Sequence, residues 1–181
     1  MSAGHGHIDP SNKKIALLIA VLALVLAFSE TLGKSAQTNA LGYNIEASNL
    51  WAFFQAKTIR QTVLRTAAEQ SSLGGTSEEA KKQIEAWKKT AQRYQTEPET
   101  GEGRDELMAR AKDAEKKRDR SMAAYHNYEV ASASVQIAIV LASAAIVTAT
   151  MALAWIGAGL GVVGVAFCLI GFFAPASVHI F

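Results

Sequence analysis

At 181 residues, half of them hydrophobic and with a net charge of +2, the chain has room for one domain or for a membrane unit with one extramembrane module. Its 18 Lys and Arg interleave with 16 Asp and Glu, which argues against a broad phosphate-binding face and a nucleic-acid partner. The single cysteine, Cys168, excludes a disulfide within the chain. The charges are also segregated: residues 34–130 hold 16 of the basic and 14 of the acidic side chains, whereas 15–33 and 137–174 carry only Glu30. That pattern predicts bilayer spans flanking a solvated region rather than a globular core.

Residues 1–14 read as a flexible tail. His5, His7 and Asp9, in "GHGHID", have the spacing of a weak divalent-metal site but no rigid frame, so no metal or other cofactor is expected. Lys13 and Lys14 then precede an apolar run over 15–28. Crossing a hydrocarbon core of roughly 30 Å takes about 20 residues. The first span therefore extends over 15–33 and carries Glu30 in its outer quarter. No small-x-small cleavage site follows, and the segment reads as an uncleaved anchor. Ala16, Ala20, Ala23 and Ala27 recur at 4-3-4 spacing, a smooth stripe of the kind that lets helices approach closely in lipid. Glu30, Lys34 and Gln37 continue the register. Glu30 is thus expected on a packed face, as a membrane-edge clasp to Lys34, in the favourable acid-before-base order, or to a neighbouring chain. The competing reading is a ring of Glu30 carboxylates forming a cation site in an oligomer.

Residues 34–134 are expected to form an extramembrane helical stalk. No proline interrupts 34–72, and Gly42 is the one interior glycine and a candidate bend, so the first span continues outward as one long helix. Within "NLWAFFQAKTIRQTVLR", Lys57 and Gln61 fall in the arc occupied by Leu50 and Phe53, which is too mixed for a surface-lying amphipathic helix. Trp51 and Phe54 are instead assigned to packing against other stalk helices or a second chain. A turn at Gly74 and Gly75 leads into a capping box of Thr76 and Glu79. Ala80, Ile84, Trp87, Ala91 and Tyr94 then form a 4-3-4-3 seam that stops at "TEPETGEG". From about Arg104 the same spacing runs through Leu107, Ala111, Ala114, Arg118, Ser121, Tyr125, Tyr128, Ser132 and Val135, directly into a second span.

The uncharged stretch 137–174 is too long for one span and right for two, giving a membrane hairpin over 135–176 and a tail over 177–181. The glycines of "WIGAGLG", with Trp155 as a headgroup anchor, mark the expected turn between them; Pro175 closes the third span. Two further small-residue stripes appear: Ala138, Ala142, Ala145 and Ala149, then Gly157, Gly161, Gly164, Cys168 and Gly171. Such stripes also arise by chance or serve packing within one chain, but three of them in a three-span protein point to a homo-oligomer. Neither His126 nor His179 has a nucleophile and an orienting group at legible spacing, and a thiolate of Cys168 is disfavoured in an apolar span, so no enzymatic activity is expected.

The fold class that follows is all-α: three transmembrane helices with a long antiparallel, coiled-coil-like stalk between spans one and two. The phrases "SETLGKSAQTNAL" and "NIEASNLWAFFQAKTIRQT" resemble a family of bacterial inner-membrane proteins known as a domain of unknown function. The resemblance covers nearly the whole chain and implies three spans and a prokaryotic membrane, with no catalytic residues to carry over. The expected partners are the lipid bilayer, further copies of the chain and a larger membrane complex. The expected role is a self-associating scaffold or accessory protein, with an ion-conducting oligomer as the alternative.

Overall fold

The computed structural model describes residues 10–74 and 77–178. Four α-helices account for nearly all of them: α1 (Pro10–Gly74), α2 (Glu78–Gln95), α3 (Arg104–Thr148) and α4 (Met151–Phe173), followed by a 3-10 turn at Pro175–Ser177. No strand occurs among the described residues. Of the four helices, α1, α3 and α4 contain stretches long and apolar enough to cross a membrane. The chain forms two compact units: one joins Met1–Ala40 to Asp119–Phe181, and the other is Leu41–Arg118. His5, His7, Asp9, Gly75, Thr76 and His179 lie outside the described residues.

In the first unit, segments of α1, α3 and α4 pack through small residues. Ile15 meets Ala142, Ala145 and Ala154; Leu22 meets Val135 and Ala138. Four glycines of α4, Gly157, Gly161, Gly164 and Gly171, face inward, and there a side chain is crowded: a Cβ on Gly157 would stand 2.9 Å from the Ala138 carbonyl oxygen, and one on Gly164 would stand 2.4 Å from Val135 Cγ2. Close backbone approach of this kind supplies the dispersion contacts that hold helices together where no water is available to exclude. At the far end, Tyr128 is the common neighbour of Gly33 and Gly171.

The turn between α3 and α4 corrects the sequence reading. It falls at Ala149 and Thr150, not at 155–161. Ala149 takes a left-handed conformation, with φ of 53°, which reverses the chain, and the Leu153 N–H bonds back to the Thr150 carbonyl at 3.1 Å to start α4. The glycines at 157 and 161 sit inside α4 because a helix satisfies its own backbone in an apolar setting, and their missing side chains serve packing instead. Trp155 is accordingly a helical residue, 74% exposed.

In the second unit, Ala47 and Leu50 of α1 pack on Leu107, Ala111 and Ala114 of α3, with Trp51 and Phe54 against them. The 4-3 seam of α3 is therefore its buried face here, and a fully buried leucine such as Leu107 contributes about 1.5–3 kcal/mol in a solvated module. α2 adds Ile84 and Ala91 as its buried residues, with Trp87 and Tyr94 half-buried beside them. Its N-cap is Ser77, whose hydroxyl accepts from the Ala80 N–H at 3.1 Å. This moves the cap one residue past the expected Thr76. The third helical position is then Ala80, whose side chain has no acceptor to return a bond to the Ser77 N–H. α1 runs unbroken through Gly42.

Candidate functional site

Two polar constellations stand out, one in each unit. The first is a cleft of about 570 Å³ between α1 and α3, lined by Ser29, Glu30, Lys34, Tyr125, Glu129 and Gln136 among others. α1 supplies its residues on successive turns at 29–30, 33–34 and 37, and α3 does so at 125, 128–129, 132–133 and 136. Glu30 is exposed and accepts from Gln136 Nε2 at 3.3 Å. Its partner is thus on α3, and the expected pairing with Lys34 is not the contact made. Across the cleft Tyr125 donates to Glu129 Oε1 at 2.5 Å, and His126 Nδ1 stands 3.5 Å from Glu129 Oε2. The bond to Glu129 holds the phenolic proton and raises the Tyr125 pKa above its ordinary value. Ser29 is fully buried, and its hydroxyl has no partner among the described residues, whereas Thr31 and Thr38 return theirs to the carbonyl one turn back. The arrangement offers two carboxylates and one ammonium at an exposed rim, which suits ion pairing and hydrogen bonding.

The register of α1 departs from expectation here. Its buried residues in this unit are Ile15, Leu22, Ser29, Gly33, Ala36 and Ala40. Ala16, Ala20, Ala23 and Ala27 lie on the exposed side, together with Glu30 and Lys34. Ile15 and Leu22 on the buried face of α1 meet the small residues of α3 and α4, which leaves the alanine stripe of α1 uncovered. The alanine stripe of α3 is buried through Ala138, Ala142 and Ala145, and the glycine stripe of α4 through Gly157, Gly161, Gly164 and Gly171. Two of the three small-residue stripes are therefore occupied within the chain.

The second constellation joins the helices of the second unit. Arg104 Nη1 donates to Gln61 Oε1 at 2.6 Å and to Gln95 Oε1 at 3.0 Å. Gln61 Nε2 in turn donates to the Ala91 carbonyl at 2.9 Å. The Arg104 guanidinium lies over Phe54, 4.9 Å from the ring centre. One turn before Gln61 on α1, Lys57 is 5% exposed, 3.5 Å from Glu97 and 3.7 Å from Glu102, between the rings of Phe53 and Tyr94. Trp51 Nε1 donates to Glu115 at 2.9 Å. These contacts staple α1, α2 and α3 to one another, and Arg104 Nε is buried without a partner among the described residues. The sequence flagged Trp51, Phe54 and Tyr94 but missed Gln61, Gln95 and Arg104. The usable signal was Lys57 and Gln61 in the same arc as Leu50: polar residues on a buried seam require partners on the facing helices.

Among the described residues no group of three or more His, Cys, Asp or Glu is placed to hold a metal ion. What these features define is a class: all-helical proteins with three apolar helices of membrane length and a helical module inserted between the first two. The chain belongs to the family described as Domain of unknown function (DUF4337), whose model matches residues 11–174. Searches of curated proteins and of solved structures found no match.

Proposed function

We propose that this chain is an integral protein of the bacterial inner membrane that self-associates and serves as a scaffold or accessory subunit, without catalytic activity. The observation that carries the reading is the exposed stripe of Ala16, Ala20, Ala23 and Ala27 on α1. The other two small-residue stripes are already covered, so this one is the remaining face suited to a close helical neighbour in lipid. Lys34, with Lys116, Lys117, Arg118 and Arg120 preceding span two, outweighs Lys13 and Lys14 and favours a cytoplasmic stalk over 34–134. A phosphatase reporter fused after Gly75 tests this, and activity in the periplasm reverses the orientation.

A second reading draws on the same stripe. Glu30 continues it, so copies packed through the alanines bring their carboxylates toward a common axis, as a cation-conducting oligomer would require. Native mass spectrometry after gentle extraction, paired with cation flux in vesicles, separates the two. For a scaffold, the intact chain is multimeric, and Glu30→Gln lowers the multimeric fraction while leaving flux at background. A change of flux at unchanged copy number favours conduction. A solitary chain in native lipid removes both.

A further inference from the structure

Among the described residues of the second unit, the exposed large hydrophobic side chains all belong to α1: Leu41, Ile45, Phe53, Ile59, Val63 and Leu73. Four of them form one face. At about 100° per residue, Leu41, Ile45, Ala52, Ile59 and Val63 fall within about 40° of one another, along about 33 Å of helix. Leu41, Ile45, Ile59 and Val63 are 60%, 61%, 65% and 61% exposed, so neither α2 nor α3 covers them. Ser48, Gln55 and Thr62, also exposed, fill the register between. Ile45, Ser48, Ala52, Gln55, Ile59 and Thr62 follow one another at 3-4-3-4-3 spacing, the period of a two-stranded seam with β-branched residues alternating with smaller and polar ones.

We propose that this face is a self-contact: two copies of the chain lay α1 against α1, parallel and in register, along Leu41, Ile45, Ala52, Ile59 and Val63. The proposal rests on the self-associating membrane reading above and names the surface it uses outside the bilayer. Its occupant follows from charge. Copies inserted in the same direction carry α1 parallel, so a symmetric contact sets each residue beside its own counterpart. Any Lys, Arg, Asp or Glu on such a face would meet a like charge. The charged residues of this stretch all lie off the stripe: Glu46, Arg60 and Arg65 are about 80° or more from its centre, and Lys57 points to the opposite, buried side. A face made for an unlike protein is under no such restriction and gains specificity from complementary charges. An uncharged seam with heptad spacing is what a parallel copy of itself demands.

Single cysteines introduced into the full-length chain carrying Cys168→Ala, oxidised in native membranes, test the contact. Ile45→Cys and Ile59→Cys are expected to give disulfide-linked pairs at least tenfold more efficiently than Glu46→Cys and Arg60→Cys. Ile59→Lys, an outward position that leaves the fold intact, is expected to cut the Ile45→Cys yield by a similar factor. Equal yields on both faces, or no yield at Ile45 and Ile59 in a chain that native mass spectrometry shows to be multimeric, overturn this surface while leaving self-association standing. A monomer by native mass spectrometry overturns both, and a different protein seated on the face overturns the self-contact.

Discussion

At the scale of single residues, the glycines of α4 sort by what faces them. A Cβ on Gly161 would press only on Leu22 Cδ2, the movable end of a flexible side chain, whereas one on Gly157 would meet backbone, the Ala138 carbonyl oxygen at 2.9 Å. Gly157→Ala is therefore expected to cost about 1–3 kcal/mol, and Gly161→Ala less than about 1 kcal/mol, in reversible unfolding in mixed micelles. The ion pair of Lys57 is asymmetric in the same way. Lys57 is nearly fully buried while Glu97 and Glu102 reach solvent with 17% and 52% of their side-chain surface exposed. Glu97→Gln leaves the buried ammonium with Glu102 alone and should cost about 1–3 kcal/mol. Lys57→Met removes the buried charge and keeps the packing, and is expected to change stability by less than about 1.5 kcal/mol. The denaturant midpoints of the two variants give the comparison, and a larger loss for Lys57→Met would contradict the assignment.

At the scale of elements, periodicity made most of the fold legible. The 4-3 seam of α3 was readable from Leu107 to Val135: Leu107, Ala111, Ala114, Tyr128 and Val135 on it are buried, and Arg118, Ser121, Tyr125 and Ser132 are partly so. The register of α1 was misread for a physical reason. Alanine stripes and bulky stripes alternate around an apolar helix, and sequence alone does not tell which of them meets the rest of the chain and which is left over. Glu30 followed the alanines outward and found Gln136, a partner 106 residues away that no local pattern signals. The α3–α4 turn escaped because glycine is the usual mark of a break, and here the left-handed position is filled by Ala149. Ala149→Gly should relieve that strain and stabilise the chain by up to about 1 kcal/mol, read as a rise in the thermal midpoint in detergent. An unchanged or lowered midpoint would show that the alanine side chain contributes at the turn.

At the scale of the whole molecule, the long helices carry two kinds of unmet surface, small residues near the apolar end of α1 and branched aliphatic residues farther along it. The first was read from sequence spacing and the second was not; the structure shows that α3 and α4 leave the first open and that α2 and α3 leave the second open. The polar hub of Arg104, Gln61 and Gln95 was illegible for the opposite reason: its members lie on three helices and acquire meaning only once those helices are docked.

The shared levels of the first unit set a ruler. Ile15, Ala145 and Ala154 meet at one end, while Gly33, Tyr128 and Gly171 meet at the other. The three intervening stretches each rise about 26 Å, a few ångströms short of an average hydrocarbon slab of about 30 Å. We expect such a trio to suit a thin sheet of lipid. Reconstituted into phosphatidylcholines of increasing acyl length, it should unfold at its highest temperature in the shorter-chain members and lose stability as the slab thickens and draws Lys14 and Glu30 toward oil.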